Sequence, residues 1–262
     1  MRPISELSAA EARGLEGLLF DLDDTLLDHG RLGETAYSSL FRLRESGLRL
    51  IAVTGRPAGW GEVVARQWPV DGAVTENGAV LLYRDDGGVR RLDAVPEAER
   101  RTRRIRVAEV VAKIGEAFPE LAPADDVAAR LSDFTFDIGE RQRVAPEVVR
   151  AVAALAREHG ARTQASSVHL HVSFDADDKA TGAVRLVRLL WGTDPTLTRF
   201  HFAFIGDSEN DAACFAGFRT TIAVQNFSGR PTVSPRYLTA APRGAGFAEA
   251  AARVVELREG PG

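Results

Sequence analysis

Three short apolar runs in this chain stop abruptly at polar residues, and this pattern constrains the fold more than any other feature. The runs and the residues that follow them are 18–20 with Asp21, 48–53 with Thr54, and 202–205 with Gly206. Apolar runs of this length predict strands that are buried on both faces, as in a parallel sheet. The carboxyl edge of such a sheet is the place where ligands bind.

Helical patterns separate the first two runs and follow the second. Ala36, Leu40 and Leu43 recur at spacings of four and three, which predicts a helix that Gly47 can end. Pro57 is placed to open the next helix. Strands that alternate with helices predict the α/β fold class.

Residues 83–172 have a different pattern from the rest of the chain. They contain three β-rich pieces, at 89–92, 134–138 and 168–172, and two helical stretches, at 96–118 and 146–159. A few amphipathic strands with two helices predict an α+β layer with one open sheet face. We therefore predict two domains: a core formed by residues 1–82 and 173–262, and an inserted cap formed by residues 83–172.

The composition is that of a globular protein, with 45% hydrophobic and 27% charged residues. The net charge of −4 gives no general reason to expect nucleic acid or an anionic membrane as partner. The single cysteine, Cys214, excludes an internal disulfide and suits a reducing compartment. Because no apolar run approaches the roughly 20 residues of a membrane helix, and residues 1–14 lack a signal-peptide core, we expect a cytoplasmic protein.

Two acidic clusters follow predicted strands. Asp21 and Asp23 end the first strand, and Asp207 and Asp211 follow the last apolar run. Each cluster alone is also compatible with a helix cap or a solvated turn. At one sheet edge, however, like charges about 4 Å apart cost on the order of 4 kcal/mol at an effective dielectric constant of roughly 20. A hard divalent cation relieves that repulsion, and Mg²⁺ prefers carboxylates, water and phosphate oxygens.

The chain has only two lysines, Lys113 and Lys179, and its other 31 basic residues are arginines. Lys179 begins a helical pattern, where the helix dipole disfavours a cation. A surface lysine is the ordinary alternative. In a chain so rich in arginine, a lysine at this position favours a need for a compact point charge, such as neutralisation of a phosphate.

Four segments resemble, in order, the four motifs of the haloacid dehalogenase (HAD) superfamily: residues 21–28, residues 53–56, Lys179 and residues 206–211. The likeness covers about residues 15–82 and 173–245. Residues 75–79 and the position of the insertion resemble subfamily IIB. That subfamily includes sucrose-phosphate, trehalose-phosphate and mannosyl-phosphoglycerate phosphatases, Cof-like sugar phosphatases and phosphomannomutases. The resemblance implies a Rossmann-like core, with a parallel sheet flanked by helices, and an inserted α+β cap of the C2B type.

The resemblance also implies a role for each matched residue. Asp21 is the nucleophile that forms an aspartyl phosphate, and Asp23 is the general acid and base. The other implied roles are phosphate binding by Thr54, Gly55, Lys179 and Asn210; Mg²⁺ binding by Asp21, the backbone carbonyl of Asp23, Asp207 and Asp211; and candidate substrate contacts by Arg56 and Asn77.

The sequence therefore predicts a Mg²⁺-dependent phosphatase that hydrolyses the phosphate monoester of a sugar or similar small metabolite. Two alternatives stay open: a phosphomutase of the phosphomannomutase type, and a non-enzymatic binding module. Thr54-Gly55-Arg56 mildly disfavours the mutase, since it looks more phosphatase-like. The expected partner is a small phosphorylated molecule, and nothing in the sequence predicts the oligomeric state.

Two features of the cap have competing interpretations. The basic run 100–106 has the composition of a nucleic-acid contact, but the predicted cap carries 15 basic and 15 acidic residues and is neutral. We therefore predict a solvated helix face and no nucleic-acid partner. His169 and His171 alternate along one strand, and we predict that they lie in a half-exposed sheet rather than at the substrate.

Overall fold

A large sheet forms the centre of the computed structural model, which describes residues 1–166, 168–227 and 232–260. The strands of the described residues are β1 (Arg2–Pro3), β2 (Gly17–Phe20), β3 (Leu27–Asp28), β4 (Arg31–Leu32), β5 (Arg49–Val53), β6 (Gly72–Thr75), β7 (Val80–Asp85), β8 (Gly88–Asp93), β9 (Phe134–Asp137), β10 (Arg162–Ala165), β11 (His169–Ser173), β12 (Phe202–Gly206), β13 (Thr220–Ala223) and β14 (Tyr237–Leu238). The helices are α1 (Ala9–Arg13), α2 (Glu34–Glu45), α3 (Ala58–Gln67), α4 (Glu97–Ala117), α5 (Pro146–Glu158), α6 (Lys179–Trp191), α7 (Pro195–His201), α8 (Ala212–Gly217) and α9 (Arg243–Glu259).

The large sheet has nine strands in the order β1-β14-β13-β12-β2-β5-β6-β7-β8. The first seven strands in this order, from β1 through β14 to β6, pair in parallel with their neighbours. Strand β7 pairs antiparallel with β6 and with β8, so β7 and β8 form a hairpin at one side of the sheet. The three predicted strands are β2, β5 and β12, and they are neighbours in the middle of the sheet. The predicted α/β class is therefore confirmed.

Alternating side chains of the central strands fill two separate apolar layers. On one face, Phe20 packs edge-on against Phe247 of α9, with ring centroids 5.2 Å apart. On the other face, Phe204 lies against Phe215 and buried Cys214 belongs to the same layer, as predicted for a packed cysteine. Each fully buried side chain of this size contributes about 1.5–3 kcal/mol. The strand ends that carry the acidic clusters are thus fixed by packing on both faces of the sheet.

A second, three-stranded antiparallel sheet has the order β10-β11-β9. Leu170 and Val172 of β11 pack with Val110 of α4 and Val152 of α5 on one face. Because side chains alternate along a strand, the histidines of β11 lie on the opposite face. The α+β layer predicted for the middle of the chain is therefore present, with its helices on one side only.

The predicted boundary of the cap at residue 83 requires a correction. It falls inside β7, and β8 pairs with β7 along its whole length as part of the large sheet. The predicted strand 89–92 thus belongs to the large sheet, which the chain leaves only after Asp93. A two-strand hairpin has the same alternating pattern in either sheet, so the pattern did not distinguish them. The division into a core and a cap stays a prediction.

The predicted basic run lies on α4, and several of its arginines are engaged within the protein. Buried Arg100 pairs with Asp93 at 3.0 Å, and Arg103 pairs with Asp175 at 2.9 Å. The interpretation of this run as a solvated helix face is wrong for these two residues, although Arg101 is exposed. Among the described residues, no helix is both long and apolar enough to cross a membrane.

Candidate active site

Three neighbouring strands bring the predicted motifs to one edge of the large sheet. Asp21 follows β2, Thr54 follows β5 and Asp207 follows β12. The parallel register places Phe20 of β2 beside Ile205 on one side and Ala52 on the other. The residues that follow these three strands therefore converge.

Lys179 is the cation at the centre of this edge. Its Nζ lies 2.9 Å from Oδ1 of Asp21 and 2.8 Å from Oδ1 of Asp211, and its side chain is fully buried. Asp178 and Thr181 form a capping box that begins α6 at Lys179 and so fixes where the side chain starts. Burial alone lowers the pKa of Lys179, but the attraction of the two aspartates raises it above the usual range.

Negative charge is crowded around this lysine. Carboxylate oxygens of Asp21, Asp207 and Asp211 all lie within 4.8 Å of one another. Burial raises the pKa of Asp21 to about 7, with Lys179 opposing the shift and Asp211 adding to it. Burial, together with Asp211 and Asp21, also raises the pKa of Asp207 well above its usual range. A buried group of oxygen ligands with excess negative charge fits a hard divalent cation such as Mg²⁺.

Asp211 has both carboxylate oxygens engaged. Its Oδ1 accepts from Lys179, and its Oδ2 accepts from the backbone N–H groups of Asp207, at 2.9 Å, and Ser208, at 3.3 Å. A Cβ atom at Gly206 would lie 2.3 Å from Oδ2 of Asp211, so only glycine permits this close approach. Asp211 therefore holds both the lysine and the loop that carries Asp207.

Asp23 is held by an arginine that lies 33 residues further along the chain. Nε of Arg56 donates to Oδ1 and Oδ2 of Asp23 at 3.0 and 2.9 Å, and Nη2 donates to Oδ1 at 2.5 Å. The guanidinium also stacks on the ring of Trp60, with its carbon 4.2 Å from the ring centroid. The candidate substrate contact Arg56 thus orients the candidate general acid.

Three of the remaining predicted residues, Asn210, Asn77 and Thr54, form one hydrogen-bonded group, and Gly55 lies against it. Asn210 donates through Nδ2 to Oδ1 of Asn77 at 3.2 Å, and the backbone N–H of Asn77 donates to the carbonyl of Thr54. A Cβ atom at Gly55 would lie 3.1 Å from Oδ1 of Asn77. The structure therefore brings every predicted site residue to this edge of the sheet.

A glutamate that the sequence analysis missed joins this edge to the segment before β9. The carboxylate of Glu76 accepts from the backbone N–H groups of Leu131, at 2.9 Å, and Ser132, at 2.6 Å, and from the Ser132 hydroxyl at 2.7 Å. The φ angle of Glu76 is +49°, in the left-handed region that residues other than glycine rarely adopt. These hydrogen bonds hold the residue in that conformation. Nothing in the local sequence marks residues 131 and 132 as its partners.

A second missed group centres on Asp133. Nη1 of Arg130 donates to its two oxygens at 3.0 and 3.1 Å and also donates to the carbonyl of Gly55 at 3.0 Å. Nδ1 of His171 lies 2.7 Å from Oδ2 of Asp133. The predicted half-exposed position of His169 and His171 is wrong, because both are buried, with 6% and 4% of their surface exposed. Their alternation along one strand was the sequence feature that could have indicated a shared position facing the site.

Two of the cavities that open onto this edge adjoin at His171 and Asn210. The smaller, of about 20 Å³, is lined by Asp21, Asp23, Gly55, Arg56, Ser166, His169, His171, Asp207, Ser208 and Asn210. The larger, of about 280 Å³, shares His171 and Asn210 with it and extends along β10 and β11. The smaller cavity holds about one water molecule, whereas the larger one is the size of a small ligand.

The large sheet is mainly parallel, and a buried aspartate–lysine cluster lies at the carboxyl ends of its central strands. The α+β insertion covers this cluster. These features define an α/β enzyme with a covered acidic centre. A family model of haloacid dehalogenase-like hydrolases matches residues 18–94 of the chain.

The chain is also similar to several known proteins. A phosphoglycolate phosphatase of Methanococcoides burtonii is 25% identical over 246 residues, which cover 90% of this chain and 95% of that protein. The crystal structure of Thermoplasma acidophilum 0175 has a TM-score of 0.73 at 17% identity and covers 93% of this chain and 99% of its own. A haloacid dehalogenase subclass IIB sugar phosphatase, BT4131, has a TM-score of 0.60 at 18% identity, with coverages of 90% and 97%.

These comparisons confirm the predicted resemblance, and the fold likeness includes a subclass IIB protein, as the sequence motifs predicted. The prediction of a phosphoric monoester hydrolase is confirmed at the level of the enzyme class. The alternative of a non-enzymatic binding module is accordingly wrong. The roles of individual residues stay predictions.

Proposed function

We propose that this chain is a Mg²⁺-dependent phosphatase that hydrolyses the phosphate monoester of a sugar or similar small metabolite through an aspartyl phosphate. The observation that carries the proposal is the contact of Asp21 with buried Lys179 beside a cavity that Asp23 also lines. The phosphatase and sugar phosphatase among its relatives support the same reaction. The single buried cysteine is compatible with the cytoplasmic location that we continue to propose.

The proposed reaction has two displacements at phosphorus. In the first, an oxygen of Asp21 forms a bond to phosphorus, the ester P–O bond breaks, and Asp23 gives its proton to the leaving alkoxide. In the second, Asp23 takes a proton from water, the water oxygen bonds to phosphorus, and the bond between phosphorus and Asp21 breaks. Covalent catalysis thus replaces one difficult step with two easier ones. General acid and base catalysis of this kind contributes about 10²- to 10⁴-fold.

The residues around Asp21 bind and neutralise the phosphoryl group. Lys179 supplies a buried positive charge next to the nucleophile, and Gly55 and Asn210 line the same cavity as Asp21. Thr54, at the end of the neighbouring strand β5, is the further proposed phosphate-binding residue. Phosphoryl transfer depends mainly on positioning and charge neutralisation, so a rigid set of donors and one fixed cation suits it.

Mg²⁺ would be held by Asp21, the backbone carbonyl of Asp23 and Asp207, with Asp211 behind them. When bound, it supplies the positive charge that balances the phosphate and these carboxylates. The raised pKa of Asp207 supports this assignment, because it reflects burial and, after it, the negative charges of Asp211 and Asp21, which Lys179 offsets only in part.

Substrate entry requires the cap segments to separate from the large sheet. The cavity at Asp21 has about 20 Å³, which is too small for a phosphate group with its ester. The contacts of Glu76 and Arg130 across this boundary therefore belong to a closed form. Closure of this kind excludes bulk water from the reacting groups.

The experiment that tests the function is hydrolysis of para-nitrophenyl phosphate by the wild type and by Asp21→Asn. We expect turnover by the wild type with Mg²⁺, loss of turnover with EDTA, and background rates for Asp21→Asn. Asp28→Asn is the matched control, because Asp28 is an exposed carboxylate of the same segment. Full activity of Asp21→Asn would overturn the proposal, and conversion of mannose 6-phosphate into mannose 1-phosphate without phosphate release would favour the phosphomutase.

A further inference from the structure

His171 has one ring nitrogen fixed by a carboxylate. Its Nδ1 lies 2.7 Å from Oδ2 of Asp133, and Asp133 is in turn paired with Arg130. The two contacts with Arg130 and His171 outweigh burial and hold the pKa of Asp133 at about 2. An ionised carboxylate only accepts hydrogen bonds, so Nδ1 of His171 carries the proton in this contact.

The other ring nitrogen of His171 is left as an acceptor. Burial lowers the pKa of His171, so the ring is neutral and Nε2 keeps its lone pair. Within the part of the chain that the structure describes, Nε2 has no hydrogen-bond partner. It lies beside Gly55, where an added Cβ atom would be 3.2 Å away, and His171 lines both cavities.

Two more acceptors at the larger cavity lack partners among the described residues. They are Oδ1 of Asn210 and Oδ2 of Asp175; both residues line this cavity, but the two oxygens themselves have almost no exposed surface. A buried acceptor without a donor costs about 1–3 kcal/mol. Nε2 of His171 is not sealed in this way, so a ligand in the cavity can donate to it directly.

The charge of the residues that line the larger cavity also favours a ligand with hydrogen-bond donors. Its ionisable lining residues are Glu76, Asp133, Asp175, Asp177, Asp178, Glu209, Arg162 and His171. Carboxylates outnumber the single arginine in this lining, although several are paired with arginines behind it. A second carboxylate on the substrate would be repelled by this lining and could not donate a hydrogen bond to Nε2 of His171.

We propose that His171 is a specificity-determining residue whose Nε2 accepts a hydrogen bond from a hydroxyl of the leaving group. Asp133 is the positioning residue that keeps the proton on Nδ1. The larger cavity then selects hydroxyl-rich phosphate esters over esters whose leaving group ends in a carboxylate. This inference rests on the proposed phosphatase function and adds the chemistry of the leaving group to it.

The test compares phosphate release from three kinds of ester: hydroxylated esters (glucose 6-phosphate, mannose 6-phosphate and glycerol 3-phosphate), phosphoglycolate, and para-nitrophenyl phosphate. We expect the wild type to have a kcat/KM at least about tenfold higher for the best hydroxylated ester than for phosphoglycolate. In His171→Ala, the ratio of kcat/KM for that ester to kcat/KM for the aryl phosphate should fall about tenfold, which corresponds to the loss of one hydrogen bond.

Two further variants separate recognition from structure. His171→Gln keeps an acceptor and should recover part of the lost ratio. His159→Ala removes a histidine that ends α5 away from both cavities and should leave the ratio unchanged. Equal losses for the hydroxylated and aryl esters in His171→Ala, an unchanged ratio, or a wild-type preference for phosphoglycolate would overturn the inference. If the wild type hydrolyses none of the esters, the aryl phosphate included, the proposed function itself fails.

Discussion

The ammonium nitrogen of Lys179 lies 2.9 Å from the carboxylate of Asp21, and neither side chain is more than 6% exposed. The lysine extends from the first residue of a helix, where the dipole is unfavourable to a cation. Its burial is tolerated because two carboxylates face it. Removing one partner of such a buried pair costs about 3–5 kcal/mol, so each group depends on the others.

The first prediction concerns the kind of cation at this position. Lys179→Arg keeps the charge but replaces a compact ammonium by a planar fork that does not fit between Asp21 and Asp211. Displacement of the nucleophile by about 1 Å costs about 10²-fold in rate, so we expect kcat for an aryl phosphate to fall by about that factor. Lys113→Arg changes the other lysine, which is exposed on α4, and should have no effect. Unchanged activity of Lys179→Arg would show that the scarcity of lysine carries no functional information.

The second prediction concerns the pairing of Arg56 with Asp23. Arg56→Lys keeps a positive charge but loses the two-pronged contact that orients the proposed acid. Alkyl esters need a proton on the departing oxygen, whereas an aryl oxide leaves readily without one. We therefore expect kcat/KM to fall about tenfold or more for an alkyl phosphate and clearly less for an aryl phosphate. Arg66→Lys, at an exposed position of α3, is the matched control. Equal losses for both esters would contradict an orienting role.

The site could be predicted well from the sequence because the relevant signals are local. Each apolar run ends within one residue of the end of its strand. The capping box of Asp178 begins α6 at Lys179, as the helical pattern predicted. Parallel neighbours then bring Asp21 and Asp207 together without further information.

Contacts between distant segments could not be predicted in the same way. The burial of His171 depends on how β11 lies against the large sheet, and its Asp133 partner is 38 residues away. Glu76 accepts hydrogen bonds from backbone groups 55 and 56 residues further on, which carry no side-chain signal. The placement of β8 failed because an amphipathic hairpin fits either sheet.

The third prediction concerns the metal. Asp207→Asn removes one ligand and one of the crowded negative charges at the same time. We expect Mg²⁺ to raise the Tm of the wild type but not that of Asp207→Asn, since a ligand stabilises only the state that binds it. Without metal, the variant should be at least as stable as the wild type, because less like charge is buried. Asp28→Asn is the exposed control, and its Tm should rise with Mg²⁺ as that of the wild type does. An equal rise of Tm with Mg²⁺ in the wild type and in Asp207→Asn would contradict the assignment of Asp207 as a ligand.

The fourth prediction follows from Asp133, whose pKa of about 2 lies below its ordinary value because Arg130 and His171 stabilise the carboxylate against burial. A carboxylate with a lowered pKa stabilises the fold above its unfolded pKa of about 4, and this stability disappears as the pH falls toward 2. At pH 7, Asp133→Asn should therefore lower the free energy of unfolding by about 2 kcal/mol in urea denaturation. At pH 3 the difference should shrink to about half, while exposed Asp86→Asn should show little difference at either pH. A deficit of the same size at both pH values would mean that Asp133 stabilises the protein by packing rather than by its charge.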